Sequence, residues 1–193
     1  MRIGIDIDGV LADFNESFIR RTVTVTNRDM FPPRPFDIPI WDYPQHYGYT
    51  EAEVSAVWKT IVEDSMFWAY LTPYPTTKPF LQKLNPEKDD LYFITSRPGI
   101  IAKQQTEAWI RYYGGPVSPT VLISSMKGEC ARALDLEAYI DDRDKNVLNV
   151  RAYSSTTRVY ILDQPWNREE TVYDWKGIVR VTSPLDMLTD LGL

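Results

Sequence analysis

Apolar and polar or small residues alternate from Arg2 to Ile7 (Arg-Ile-Gly-Ile-Asp-Ile), the period of a strand, and the run breaks at Asp8-Gly9. Phe14, Phe18 and Ile19 then share one face of a helix predicted over 14–22. The character changes over 29–49, where prolines and aromatics crowd together (Phe31-Pro32-Pro33-Arg34-Pro35-Phe36) as in an irregular, turn-heavy segment. Thr50-Glu51-Ala52-Glu53 reads as a capping box, a hydroxyl followed three residues later by a glutamate. It opens a helix to about Val62 with Val54, Val57, Trp58 and Ile61 on one stripe. Another helix is predicted over 77–84, and from there strands and helices alternate. The strands fall at 91–95, 120–123, 138–140, 158–162 and, as a last edge strand, 178–181. Helices fall at 101–113, ended by Gly114-Gly115, and at 184–191. Apolar strands joined by helices predict an α/β fold with a parallel sheet covered on both faces. Residues 14–76 interrupt that alternation after its first strand, so a core of 1–13 and 77–193 is predicted to carry a mostly helical cap over 14–76.

Composition narrows the class. The 193 residues are 44% hydrophobic and 25% charged, proportions that exclude intrinsic disorder and suit about one domain with an insert. No apolar run approaches the ~20 residues that cross a bilayer. Met1 to Asp6 reaches an acid too early for a signal peptide. A single cysteine, Cys130, allows neither an intrachain disulfide nor a thiolate zinc cluster, and a single histidine, His46, leaves no multi-histidine metal site. The expected setting is a reducing cytoplasm, with no membrane partner. A balance of 21 basic against 27 acidic residues, net −6, disfavours extended nucleic acid as a partner. It leaves room for a small phosphorylated ligand, because a bound divalent cation reverses the local sign. The number of subunits stays open, a homodimer included.

The chemistry sits at the predicted strand ends, where open α/β folds bind their ligands. The first strand runs into Asp6-Ile7-Asp8-Gly9-Val10, another into Thr95-Ser96-Arg97, a later one into Asp141-Asp142-Arg143, and Lys127 follows the strand ending at Ile123. Crowded acids need a cation, and an oxygen-only ligand set suits Mg²⁺. Lys127 and Thr95 add donors for a phosphoryl group, which completes the inventory of a phosphoryl-transfer site. Asp6 and Asp8 lie on the same face of an extended strand. With a turn at Gly9, one can attack phosphorus to give an aspartyl-phosphate, while the other protonates the leaving oxygen and later deprotonates water. The bland alternatives are a solvated strand end for Asp6 and Asp8 and a turn with a helix N-cap for Asp141-Asp142. Two acids at a buried strand end cost stability unless paired, and the order of all four motifs favours chemistry.

That order, Asp-Ile-Asp-Gly-Val, then Thr95, then Lys127, then Ile140-Asp141-Asp142, resembles the four-motif set of the haloacid dehalogenase superfamily. More narrowly, the 5′(3′)-deoxyribonucleotidase family is resembled by Asp6-Ile7-Asp8-Gly9-Val10-Leu11-Ala12-Asp13-Phe14 and by Phe67-Trp68 followed by Leu71-Thr72-Pro73-Tyr74-Pro75. Ile94-Thr95-Ser96 and Ile140-Asp141-Asp142-Arg143 continue that likeness, which runs from Arg2 to about Asn167. The resemblance implies a Rossmann-like core and Mg²⁺-dependent hydrolysis of (deoxy)ribonucleoside monophosphates. Asp6 would be the nucleophile and also a metal ligand, and Asp8 the general acid/base, with the backbone carbonyl of Asp8 on the metal. Thr95, Ser96 and Lys127 would hold the phosphate, and Asp142 would bind the metal with Asp141 as a supporting acid. The chain departs from the family in three places: Arg97 stands where proline is frequent, Thr76-Thr77 replaces Gly-Ala, and 31–39 matches no family pattern.

The aromatics bear on substrate. Phe67, Trp68 and Tyr70 either pack the cap or form a stacking platform for a nucleobase, with Arg97 as a further substrate contact. Trp41, Tyr43 and Tyr47 are expected in the cap core, His46 on the surface and Cys130 as a small buried residue. Trp166-Asn167, after Asp163-Gln164-Pro165, is expected in a loop near the site. A cap that closes over the site would admit small phosphates and exclude water. Three other readings share the motifs. A 3′-phosphatase of nucleic-acid ends sits poorly with the acidic balance, and a sugar or small-metabolite phosphatase has no special use for the aromatics. A phospho-accepting receiver module would place an acidic pair at the first strand and its acceptor acid later.

Overall fold

The computed structural model describes residues 1–28, 43–168 and 177–193. Six strands form one sheet in the order β3-β2-β1-β4-β5-β6. They are β1 (Arg2–Ile5), β2 (Asp90–Thr95), β3 (Thr120–Ile123), β4 (Ala138–Asp141), β5 (Arg158–Leu162) and β6 (Ile178–Val181). Every ladder is parallel. Ile5 pairs with Phe93 on one side and Ile140 on the other, so the strand order reverses about β1. An open parallel sheet offers its binding crevice at the carboxyl end of such a reversal.

Successive side chains of each strand enter opposite layers. Ile3, Ile5, Phe93, Val121, Ile140 and Tyr160 join one apolar cluster. Facing them are Phe80 and Leu81 of α4 (Thr77–Lys83), Trp109 and Ile110 of α5 (Ala102–Tyr112), and Met187 and Leu188 of α8 (Pro184–Leu191). Ile94, Tyr139, Val159 and Ile161 join the other cluster, against Ala131 of α6 (Lys127–Ala133) and Val147 and Val150 of α7 (Asp144–Tyr153). Burial on both faces explains why these strands read as apolar runs. Each fully buried side chain of this kind contributes about 1.5–3 kcal/mol relative to exposure. The helices α6 and α7 were not legible in the pattern. One is seven residues long and the other is mostly polar outside Val147 and Val150. They fit closely because Gly128 has no side chain: a Cβ there would lie 2.6 Å from the Asn149 amide oxygen.

Between β1 and β2 stand α1 (Phe14–Thr26), α2 (Tyr43–His46), α3 (Glu51–Glu63) and a 3₁₀ turn at Phe67–Tyr70. Asp13 caps α1, its carboxylate accepting from the Glu16 N–H at 3.0 Å. Thr50 and Glu53 form the expected reciprocal box on α3. The rings of Phe18 and Trp58 join the two helices at 5.2 Å. Their buried Phe18, Ile19, Val57 and Ile61 belong to the same cluster as Ile3 and Ile5, so one core runs from the sheet into these helices.

Two boundaries differ from expectation by more than one residue. β1 stops at Ile5 rather than Ile7, because the Ile7 carbonyl accepts the N–H groups of Val10, Leu11 and Ala12 in a turn. α1 continues to Thr26, beyond the predicted Thr22, through a β-branched run of low helix propensity. Thr22, Thr24 and Thr26 each bond a carbonyl four residues back. Residues 31–39 and Trp41 lie outside the described residues, as does the side chain of Tyr43. Tyr47 packs against the main cluster, His46 is exposed, and Cys130 is half-buried against the second cluster. Among the described residues no helix is long and apolar enough to cross a membrane.

Candidate active site

At the end of β1 the Asp6 N–H donates to the Ile140 carbonyl at 3.0 Å, which carries the β1–β4 pairing one residue further. The chain then folds back over Ile7. Gly9 makes this possible: its φ is +87°, and a Cβ there would lie 2.2 Å from an Asp142 carboxylate oxygen. Two consequences follow from one missing methyl, a left-handed turn and a close approach of two acidic loops.

Asp6, Asp141 and Asp142 are buried together, with one carboxylate oxygen of each within 4.8 Å of the others. Asp141 is well supplied with donors. It accepts from the Tyr139 hydroxyl, from the Arg143 N–H at 2.9 Å, and from the Asn146 amide at 3.0 and 3.1 Å. Asp142 accepts from the Trp166 indole at 2.8 Å through Oδ2, while its Oδ1 is buried without a partner. Lys127, 1% exposed, donates to Asp6 Oδ1 at 2.5 Å and to the Ile94 carbonyl.

Burial pushes the Asp6 carboxyl up to about 7 against the pull of Lys127, and Asp141 and Asp8 push the same way. Burial likewise raises Asp142 well above the ordinary carboxyl range, with Asp141 and Asp6 adding to it. For Lys127, burial favours the neutral amine, but Asp6 and Asp141 outweigh it and hold the ammonium above the ordinary lysine value. Three packed acids and an orphaned oxygen, with no histidine or cysteine in the group among the described residues, fit a hard divalent cation such as Mg²⁺, whose charge would reverse these shifts.

Asp8 turns away from that group. Its carboxylate is held by the Arg97 guanidinium, Nε to Oδ2 at 2.9 Å and Nη2 to Oδ1 at 2.8 Å, and Thr95 donates to Oδ2 at 3.3 Å. Of the expected metal ligands, the structure thus brings Asp6, Asp141 and Asp142 together and leaves the Asp8 side chain apart. Arg97, expected as a substrate contact, is among the residues lining the cavity over these groups, but it is 1% exposed and its guanidinium is held on Asp8.

These groups open on a cavity of about 350 Å³, within the range of small-molecule sites. Asp6, Asp8, Thr95, Ser96 and Lys127 line its floor, and Phe14, Trp58 and Trp68 its wall. Phe14 lies near-parallel to both indoles, at 5.7 Å from Trp58 and 5.8 Å from Trp68. Phe67 is buried away from the cavity lining and Tyr70 is 74% exposed, so neither belongs to this wall. Trp68 itself is 2% exposed, bonded through its indole N–H to the Pro98 carbonyl at 3.1 Å. Phe14 and Trp58 were missed as site residues because each also sits on the apolar stripe of its helix.

The expected loop near the site is a strap. From 163–168, Gln164 donates to the Gly9 carbonyl at 2.7 Å, Trp166 to Asp142, and Asn167 to the Asp142 carbonyl at 2.7 Å. One segment thereby fixes both acidic loops.

The sequence model of the family described as "5' nucleotidase, deoxy (Pyrimidine), cytosolic type C protein" matches residues 1–183. A Bacillus cereus protein named "Putative nucleotidase" is 24% identical over 147 residues, covering 74% of this chain and 77% of its own length. Among solved structures, a haloacid dehalogenase (HAD) family hydrolase from Deinococcus radiodurans, with bound phosphate and sodium, superposes with a TM-score of 0.67. It is 12% identical, over 99% of this chain and 94% of that one. A structure described as a predicted phosphatase from Clostridium acetobutylicum gives 0.66 at 16% identity, over 100% of this chain and 98% of that one. These two likenesses are of fold.

Proposed function

Because the chain belongs to the 5′ nucleotidase, deoxy (pyrimidine), cytosolic type C family of the haloacid dehalogenase superfamily, and is a phosphatase/nucleotidase hydrolase, we propose a finer reading of its activity. It is Mg²⁺-dependent hydrolysis of deoxyribonucleoside monophosphates through an aspartyl-phosphate on Asp6. The observation that carries it is the buried Asp6–Lys127 pair beside the orphaned Asp142 oxygen, on the floor of an aromatic-walled cavity.

Asp6 presents a carboxylate oxygen to phosphorus. As the Asp6–phosphorus bond forms, the bond from phosphorus to the nucleoside oxygen breaks, and the proton of Asp8 passes to that oxygen. Asp8, now a carboxylate, takes a proton from a water whose oxygen attacks phosphorus, which releases phosphate and restores Asp6. Lys127, Thr95 and Ser96 meet the charge on the phosphoryl oxygens. Asp6, Asp142 and the Asp8 backbone carbonyl would hold Mg²⁺, with Asp141 in support; when bound, the ion supplies positive charge against the phosphate and the packed acids. Phe14, Trp58 and the edge of Trp68 offer apolar area to a base, and residues 14–76 act as the cap that excludes water around it.

A phosphate-release screen over ribo- and deoxyribonucleoside 5′- and 3′-monophosphates, sugar phosphates and 3′-phosphorylated oligonucleotides, each with Mg²⁺, tests this reading. Preference for deoxyribonucleoside monophosphates is expected. Preference for the oligonucleotide would instead favour a nucleic-acid end as substrate, and preference for sugars a small-metabolite phosphatase.

A further inference from the structure

Arg97 is buried between two exposed neighbours, Ser96 and Pro98. Each of its three guanidinium nitrogens donates a hydrogen bond. Beyond the two bonds to Asp8, Nη1 donates to the Thr106 hydroxyl at 3.0 Å. The rings of Trp68 and Trp109 flank it at 5.0 and 6.0 Å. These neighbours are pinned in turn: Trp68 by Pro98, Trp109 by the Leu71 carbonyl at 2.8 Å, and Thr106 by the Ala102 carbonyl at 2.7 Å. An ion pair of this kind, with Arg97 buried and Asp8 partly so, adds little stability over apolar packing, but it does impose a geometry. An arginine fork fixes the plane of a carboxylate in a way that a lysine point charge does not.

Each oxygen of Asp8 can accept at two lone pairs. Oδ2 takes Arg97 Nε and the Thr95 hydroxyl, whereas Oδ1 takes Arg97 Nη2 alone among the described residues. We infer that Arg97 is the positioning residue of the acid–base step, turning Asp8 so that Oδ1 carries the proton to the leaving oxygen. The inference rests on the acid–base role proposed above for Asp8. In the first half-reaction the Asp6–phosphorus bond forms, the phosphorus–oxygen bond to the leaving group breaks, and the Oδ1 proton moves to the departing oxygen. The carboxylate left behind lies on the Arg97 fork. Arg97 thus acts through Asp8, and the Asp8 carboxylate on its fork offsets the charge that this chain carries where proline is frequent after the Thr-Ser pair.

The test compares two substrates in Arg97→Lys, Arg97→Met, Asp8→Asn and the Asp8→Asn/Arg97→Lys double variant. kcat/KM reports the steps through departure of the leaving group. A deoxynucleoside monophosphate needs its leaving oxygen protonated, and dinitrophenyl phosphate does not. The ratio of the two kcat/KM values is insensitive to the folded fraction of a variant, so partial unfolding does not blur it. Arg97→Lys is expected to lower kcat/KM about 10²-fold on the nucleotide, the scale of a misplaced general acid, and to leave the aryl phosphate nearly unchanged. Arg97→Met should show the same selectivity, and Arg97→Lys should add no further loss in the Asp8→Asn background. Equal losses on both substrates, or a further loss beyond Asp8→Asn, would overturn the inference. Failure of the wild-type protein to release phosphate from either substrate would instead overturn the hydrolase mechanism on which it rests.

Discussion

Replacing Asp142 with asparagine isolates the cost of the packed acids. In the metal-free protein Asp142 stands within 4.8 Å of both Asp6 and Asp141. At an effective dielectric constant near 20, two like charges at that separation repel by about 3.5 kcal/mol. Lys127 already compensates Asp6, and the raised Asp6 and Asp142 carboxyls hold part of their protons at neutral pH, so the recoverable part is smaller, about 2 kcal/mol. Asparagine keeps an oxygen for the Trp166 N–H and offers its amide hydrogens to the neighbouring carboxylates. Asp142→Asn should therefore melt about 4–8 °C above wild type in excess chelator at neutral pH. Burial and the other acids raise the Asp142 carboxyl, so the folded state holds its proton more tightly than the unfolded chain does. The stabilising effect of the substitution should then shrink as pH falls toward the ordinary carboxyl range. Mg²⁺ reverses the ranking. At about 100 times its dissociation constant, Mg²⁺ should stabilise wild type by about 2.7 kcal/mol, or ~5–11 °C, and the variant by far less. Calorimetric or fluorimetric melts with chelator and across a Mg²⁺ titration read both effects. A variant that melts at or below wild type in chelator, or that gains as much from Mg²⁺, would refute the reasoning.

Trp166→Phe removes the indole N–H from Asp142 while keeping an aromatic ring, and should weaken Mg²⁺ affinity about 10–100-fold in a titration of activity. Trp58→Ala should cost ~1–3 kcal/mol of base binding, seen as a higher KM for a nucleotide with little change for a base-free aryl phosphate; equal changes would place Trp58 in the cap core alone. Gly9→Ala forces a methyl group onto Asp142 at a φ of +87°, and should lower the melting temperature and reduce turnover by more than ~10²-fold.

Period and order carried far in this chain. The two-residue alternation and the strand–helix succession gave the six strands of the described sheet, because the inner strands are buried on both faces and even the edge strands β3 and β6 keep short apolar runs. What the period could not show was anything made by side chains meeting across the sheet. Lys127 and Asp6 are separated by 121 residues and meet because β3 and β1 flank β2. Their order along the chain hinted at that encounter through resemblance, not spacing. Arg97 read as a substrate contact rather than as a partner of Asp8, since Asp8, Trp68 and Thr106 come to it from three separate elements. The aromatic wall was misjudged for a related reason. Phe67-Trp68 and Tyr70 are neighbours in sequence, yet a 3₁₀ turn sends Tyr70 to solvent and Phe67 inward. Phe14 and Trp58 reach the cavity from the edges of helices that otherwise build the core.

The most direct test of the covalent account is a rapid acid quench of the enzyme during turnover of a nucleoside monophosphate radiolabelled in its phosphate. Label should stay with the protein as an acyl phosphate that hydroxylamine releases, mapping to the peptide that contains Asp6, while Asp6→Asn retains none. Turnover with no label on the wild-type protein at any quench time, or label retained by Asp6→Asn, would contradict it.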